Sequence, residues 1–153
     1  METPFYIAQA RQTLQEIRAL FESQPAFRPV LLIYPRVREG QNPPVHILPL
    51  VDQPQEQWPT YIRHKIAELG ANHWAVASEV SMRYRMLGDV AGERVTRVEE
   101  WLIYLLSYQG GMLAWGAPVK SERKLGEVQD LTSDVRVQKM MAHLSEANGV
   151  EYN

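Results

Sequence analysis

The chain has 153 residues, 45% of them hydrophobic and 22% charged, and a formal net charge of −2. That is the size and balance of one globular domain, 1–153, with a proper core, and it excludes a global basic field that would gather nucleic acid or an anionic membrane. The absence of cysteine excludes disulfides, thiolate catalysis and cysteine-ligated zinc and fits a cytoplasmic protein. The first residues, Met-Glu-Thr-Pro-Phe-Tyr, lack the basic and apolar regions of a secretory signal, and no apolar run approaches bilayer-spanning length.

Thr3 and Pro4 supply a capping side chain followed by proline at a first helical position. Ile7, Ala10, Leu14, Ile17 and Phe21 then recur at three- and four-residue spacing, so a helix is predicted that ends before Pro25. Residues 28–34 hold the strand-length run Val-Leu-Leu-Ile-Tyr, and residues 45–51 read as its returning partner after a polar, proline-bearing loop at 36–44. Pro49 pushes that second strand towards an edge. A second helix begins near Trp58, because Pro59 is tolerated only in a first turn. Ile62, Ile66 and Leu69 form its stripe, and Gly70 is its C-terminal stop.

Three strands in series follow. In residues 72–86, Trp74, Val76, Val80, Met82, Tyr84 and Met86 fall on even positions, interrupted only by Ser78, while His73, Glu79, Ser81, Arg83 and Arg85 fall on odd ones. Period two marks a half-buried strand. Residues 95–108 instead become apolar on both faces from Trp101 onward, as in a central strand covered on each side. Gly110-Gly111 predicts a two-residue hairpin into residues 112–119. That loop sets Tyr108 opposite Leu113, Leu106 opposite Trp115 and Leu105 opposite Gly116, and a large residue facing glycine implies close approach of another element. Residues 120–130 read as a charged surface loop or linker. Thr132 or Ser133 caps a last helix over 132–148, with Val137, Met140, Met141 and Leu144 on one face. The order α-β-β-α-β-β-β-α, dominated by hairpins, predicts an α+β fold: one mainly antiparallel sheet of about five strands with helices packed on it.

No phosphate-cradling loop, dinucleotide fingerprint, zinc-protease pair or nucleophile elbow is present. The single candidate catalytic residue is Glu79, mid-strand between small neighbours, where a cramped carboxylate can serve as acid or base. The bland alternative is a solvent-facing glutamate paired with an arginine. His73 lies too far along the strand to partner it, so a dyad must recruit His46 or His64. None of His46, His64, His73 and His143 shows ligand spacing, His73 and His64 are expected to be exposed and inert, and no metal or cofactor is expected. Glu99 and Glu100 point to opposite faces, with Arg83, Arg85 or Arg97 as expected partners. Arg83, Arg85, Arg94 and Arg97 gather with Tyr84 at one hairpin tip, where they can contact phosphates or stack on bases, although nearby carboxylates cancel much of that field.

The two-sided apolarity of residues 101–108 needs cover that three short helices are not expected to complete. Trp101, Ile103, Leu105, Met140 and Met141 are therefore candidate interface residues of a homodimer. The leading expectation is a non-catalytic interaction or regulatory module, acting as a homo-oligomer or in a protein complex. The alternatives are an enzyme using Glu79 with sheet arginines steering an anionic substrate, and a nucleic-acid or nucleotide binder using the arginine tips. The balance leans against an enzyme.

Overall fold

A computed structural model of the chain describes residues 5–36, 44–71, 73–87, 92, 94–108 and 111–148. Helix α1 (Phe5–Ser23) precedes strands β1 (Val30–Tyr34) and β2 (His46–Pro49). Helix α2 (Trp58–Leu69) leads into β3 (His73–Leu87), β4 (Arg94–Tyr108) and β5 (Gly111–Pro118). A two-residue strand β6 (Gln129–Asp130) and helix α3 (Val135–Ser145) complete the order. The six strands form one sheet in the order β2-β1-β3-β4-β5-β6, antiparallel at each pairing. The expected α+β sheet with packed helices is thus present, and the first hairpin joins it through β1 beside β3. No helix among the described residues is long and apolar enough to cross a membrane. Thr3, Pro4, the 37–43 part of the first long loop and Gly149 lie outside the described residues.

Helices cover both faces of the sheet. On one, Ala10, Leu14, Ile17 and Phe21 of α1 pack on Leu32, Tyr34, Ala75, Ala77, Leu102, Tyr104 and Leu106. On the other, Trp58 and Ile62 of α2 with Val137, Met141 and Leu144 of α3 pack on Leu31, Ile33, Trp74, Val76, Ile103 and Leu105. Cover for the two-sided strand therefore comes from within the chain, because α1 takes one face alone while α2 and α3 share the other. The same layering corrects the reading of β3. Residues 73–77 are buried on both faces, and half-exposure begins only at Ser78, where β1 no longer runs alongside.

Local chemistry sets the helix ends. Gly70 takes φ +65°, and its N–H bonds back to Ala67 and Ile66 carbonyls, the left-handed closure that glycine makes without a Cβ penalty. The cap of α3 is Asp134, two residues beyond Thr132: its carboxylate accepts from the N–H groups of Arg136 at 2.9 Å and Val137 at 3.3 Å. The Arg136 guanidinium, 2.8 Å away, holds the Asp134 carboxyl below its usual range. Thr132 is occupied elsewhere, since its hydroxyl accepts from the Ala114 N–H at 3.0 Å.

The β4–β5 hairpin closes at Tyr108↔Gly111, so Leu106 faces Leu113, Tyr104 faces Trp115 and Ile103 faces Gly116. The closing pair stands one residue earlier in the chain than a Gly110-Gly111 loop sets, with two residues still between the strands, so the register differs from the expected one by two, and a shift of two keeps every side chain on its face. The close approach at Gly116 comes from Leu131, whose Cδ1 lies 2.5 Å from where a Cβ would stand. The stretch read as a linker folds back on the body. Leu125 N–H bonds Glu22 at 2.8 Å, Val119 bridges Leu125, and β6 pairs with Trp115 and Gly116.

Candidate functional site

Strands β3 and β4 are 15 residues each and outrun their neighbours. β1 pairs only with residues 73–77, and β5 stops at Pro118 opposite Trp101. From Met82↔Glu99 to Leu87↔Arg94, β3 and β4 pair with each other alone among the described residues, a ribbon about 17 Å long at ~3.3 Å per residue. The Val119 N–H donates to the Glu100 carbonyl at 2.8 Å, which fixes the phase of the ladder. Residues 94, 96 and 98 of β4 present N–H and C=O outward on one edge, and residues 81, 83, 85 and 87 of β3 do so on the other. Val98 is 53% exposed midway along the β4 edge.

The ribbon gathers the five candidate anion-contact residues. Tyr84 stands opposite Arg97, Arg85 opposite Thr96, Leu87 opposite Arg94 and Arg83 opposite Val98. Strand alternation divides these positions, with 83, 85 and 94 on one face and 84 and 97 on the other. Arg83 and Arg97 are exposed. The carboxylates at the ribbon's root are held by neighbours other than these two arginines: Glu100 accepts from the Ser81 hydroxyl at 2.6 Å and Glu99 from the Trp101 indole N–H at 3.3 Å.

Glu79 sits on the α1 face opposite Leu102. Its Oε1 lies 3.3 Å from the Arg123 guanidinium. Arg123 also donates to the Gln24 carbonyl at 3.0 Å and stacks over Phe21 with Cζ 4.1 Å from the ring centroid. Glu122 and Arg123 both have φ of 58°, a left-handed conformation that costs a non-glycine residue about 1 kcal/mol or more and is held here by those contacts. Glu79 is thus partnered by a cation, as the bland reading has it, but the cation comes from the 120–126 segment and not from the hairpin. Sequence reasoning missed Arg123, because one arginine in a charged loop carries no periodic or spacing signal.

The histidines do not converge on Glu79. His46, opposite Ile33, and His64 on α2 are exposed and belong to the other face. His143 Nε2 lies 3.1 Å from the Gln55 carbonyl. His73, expected to be exposed, is instead buried, stacked on Tyr6 with centroids 3.9 Å apart and with Tyr108 beyond at 5.3 Å. The N-terminal turn of α1 lies over the strand start and covers it. Burial pushes the imidazole pKa down, and Nδ1 has no hydrogen-bond partner among the described residues. No group of three metal-capable side chains occurs among the described residues.

Of the candidate interface residues, Trp101, Ile103, Leu105 and Met141 lie in the chain's own core. Met140 is half-buried at the rim of a cavity of about 50 Å³ beneath α3. Val76, Ser78 and Val80 of β3 with Ile103 and Leu105 of β4 form its floor, Met140 and Leu144 roof it, and Trp58, Gln55 and His143 close its side. The chain matches no protein-family model, no curated protein and no solved structure.

Proposed function

We propose that the chain is a non-catalytic docking module that associates with a second copy of itself by strand pairing along the ribbon. The observation that carries this reading is the six-pair extension of β3 and β4, from Met82↔Glu99 to Leu87↔Arg94, beyond the chain that flanks them on either side. Open strand edges are templates for pairing, and sheet proteins ordinarily cover or shorten them. The β4 edge supports a self-complementary contact: its sequence runs from Arg94 and Arg97 to Glu99 and Glu100, so an antiparallel copy brings the basic end of one strand to the acidic end of the other. Charges flanking Val98 discourage indiscriminate pairing while leaving an apolar contact at the centre.

The acid–base reading of Glu79 loses support, because its carboxylate anchors the 120–126 segment through Arg123. The nucleic-acid reading loses support from the division of the arginine positions between two faces.

The test is solution mass by light scattering over a range of concentrations, for the wild type and Val98→Pro. Residue 98 points its N–H away from β3, so proline there spares the β3–β4 ladder and removes an outward donor. The expected result is a concentration-dependent oligomer for the wild type and a folded monomer for the variant. A wild type monomeric throughout, or an oligomer that Val98→Pro leaves intact, overturns the proposal.

A further inference from the structure

We infer that His73 is the catch of an acid-sensitive latch: below neutral pH its ring takes up a second hydrogen, and the first turn of α1, residues 5–9, lifts off the start of β3 while the rest of the fold stays in place. The geometry is that of a covered titratable ring. His73 is 7% exposed, with the Tyr6 ring stacked on it at 3.9 Å and 18° between planes and Tyr108 tilted against it at 5.3 Å. Its Nδ1 is buried with no hydrogen-bond partner among the described residues. The neutral imidazole tolerates this, because its single hydrogen sits on Nε2 and leaves only a lone pair at Nδ1. The imidazolium does not, since both nitrogens are then donors and a charge has been taken out of water. A stacked phenol returns part of that cost through its π face, but the N–H in the ring plane still meets no acceptor.

The groups packed around the ring supply no counter-charge. Tyr6 of α1, Tyr34 of β1, which stands directly across the ladder, and Tyr108 of β4 are phenols, uncharged near neutrality, and the first turn of α1 holds no acidic residue. Burial accordingly pushes the imidazole pKa down. Of the elements in contact, the helix end is the one that yields. β3 is paired with β1 at Tyr34↔His73 and, one residue on, with β4 at Trp74↔Ser107, and the fully buried Trp74 indole donates to Asn148 at 2.9 Å. A helix's first N–H groups, by contrast, have no intrahelical partner. Phe5 is 50% exposed, and Tyr6 and Ile7 are only half-buried. Full burial begins at Ala10, and the Thr13 hydroxyl donates to the Gln9 carbonyl at 2.9 Å, so the opening stops there. Terminal turns of this kind sit at the low end of a protein's opening free energies, which lets one proton decide the position. Lifting returns the imidazolium to water and uncovers Tyr108.

The experiment follows the full chain by NMR from about pH 8 to about pH 5, reading the His73 ring and the backbone shifts of residues 6–9. The expected result is that residues 6–9 lose their helical shifts with the same midpoint as the His73 ring, below 6.5, while residues 74–77 keep their strand shifts. His73→Phe keeps a stacked ring that cannot take a proton, and it is expected to hold the turn helical across the range, with His46, His64 and His143 still present to titrate. Tyr6→Ala strips the cover and is expected to move the His73 midpoint up towards 6.5. A turn that stays helical while His73 titrates, a loss of helix that persists in His73→Phe, or a His73 midpoint that Tyr6→Ala leaves unmoved overturns the inference.

Discussion

Gly116→Ala is the sharpest test of the packing between β5 and the return to α3. The glycine's φ is not positive, so alanine meets no backbone objection, and it gains about 0.4–1 kcal/mol from a less flexible unfolded chain. Against this, the new Cβ would lie 2.5 Å from Leu131 Cδ1, 3.0 Å from Ile103 Cδ1 and 3.2 Å from the Leu102 carbonyl. The two side-chain tips can swing away, but the carbonyl belongs to the β4 ladder and cannot. Overpacking of this kind costs roughly 1–3 kcal/mol, which exceeds the entropic gain, so a net loss of roughly 0.5–2 kcal/mol is expected. Urea unfolding followed by tryptophan fluorescence reads it as a lower midpoint at constant slope. In a Leu131→Ala background the worst clash disappears, and the penalty should shrink by about 1 kcal/mol in a double-mutant cycle. A neutral or stabilising Gly116→Ala, or the same penalty in both backgrounds, refutes the packing argument.

His73 gives a pH dependence with a definite sign. Its folded pKa lies below the ordinary 6.5, so the unfolded chain takes the proton first. Stability is full above about 6.5 and falls as pH drops from there through the folded value; His73→Phe, which keeps the ring on Tyr6, should flatten the urea midpoint across that range, and an unchanged slope refutes it. Asp134→Ala removes the α3 cap and should cost about 1 kcal/mol, read by the same unfolding assay. The buried hydroxyls of Tyr34 and Tyr104 are hydrogen-bonded to each other, and burial raises both phenol pKa values. Either single change to Phe should cost roughly 1–3 kcal/mol by stranding its partner, while the double change should cost less than the two combined, a non-additivity that thermal or urea unfolding measures directly.

Helices α1 and α2 are legible because their cores are local: spacing alone marks Ala10, Leu14, Ile17, Phe21 and Ile62. The β3–β4–β5 meander is legible for the same reason, through alternation and turn residues. What escapes is long-range. Ala75 and Ala77 alternate with polar residues only further along the strand, so period two describes β3 beyond Ser78 and hides the stretch where α1 covers the second face. Three consecutive residues, Thr132, Ser133 and Asp134, can all cap a helix. The choice falls to Asp134 because Ala114, a residue of another strand, engages Thr132. Leu131 over Gly116 and Arg123 beside Glu79 are meetings of distant chain segments that no local pattern encodes. Ser78 is visible as an interruption, but the space it lines beneath Met140 and Leu144 of α3 is not.

The ribbon also divides the molecule's resistance to opening. In the body of the sheet, breaking a backbone bond of β3 or β4 requires lifting helices from both faces, so those amides exchange with solvent only through large-scale unfolding. Beyond Ser81 and Glu100 the two strands hold each other alone, and they can part locally while the body stays intact. The inward N–H groups at positions 84, 86, 95 and 97 should therefore exchange faster than those at 103 and 105. A strand bound on either edge turns two strands into three and must be released before the pair can part. Exchange protection in this limb is thus a gauge of occupancy, readable in the intact protein without knowledge of what has bound.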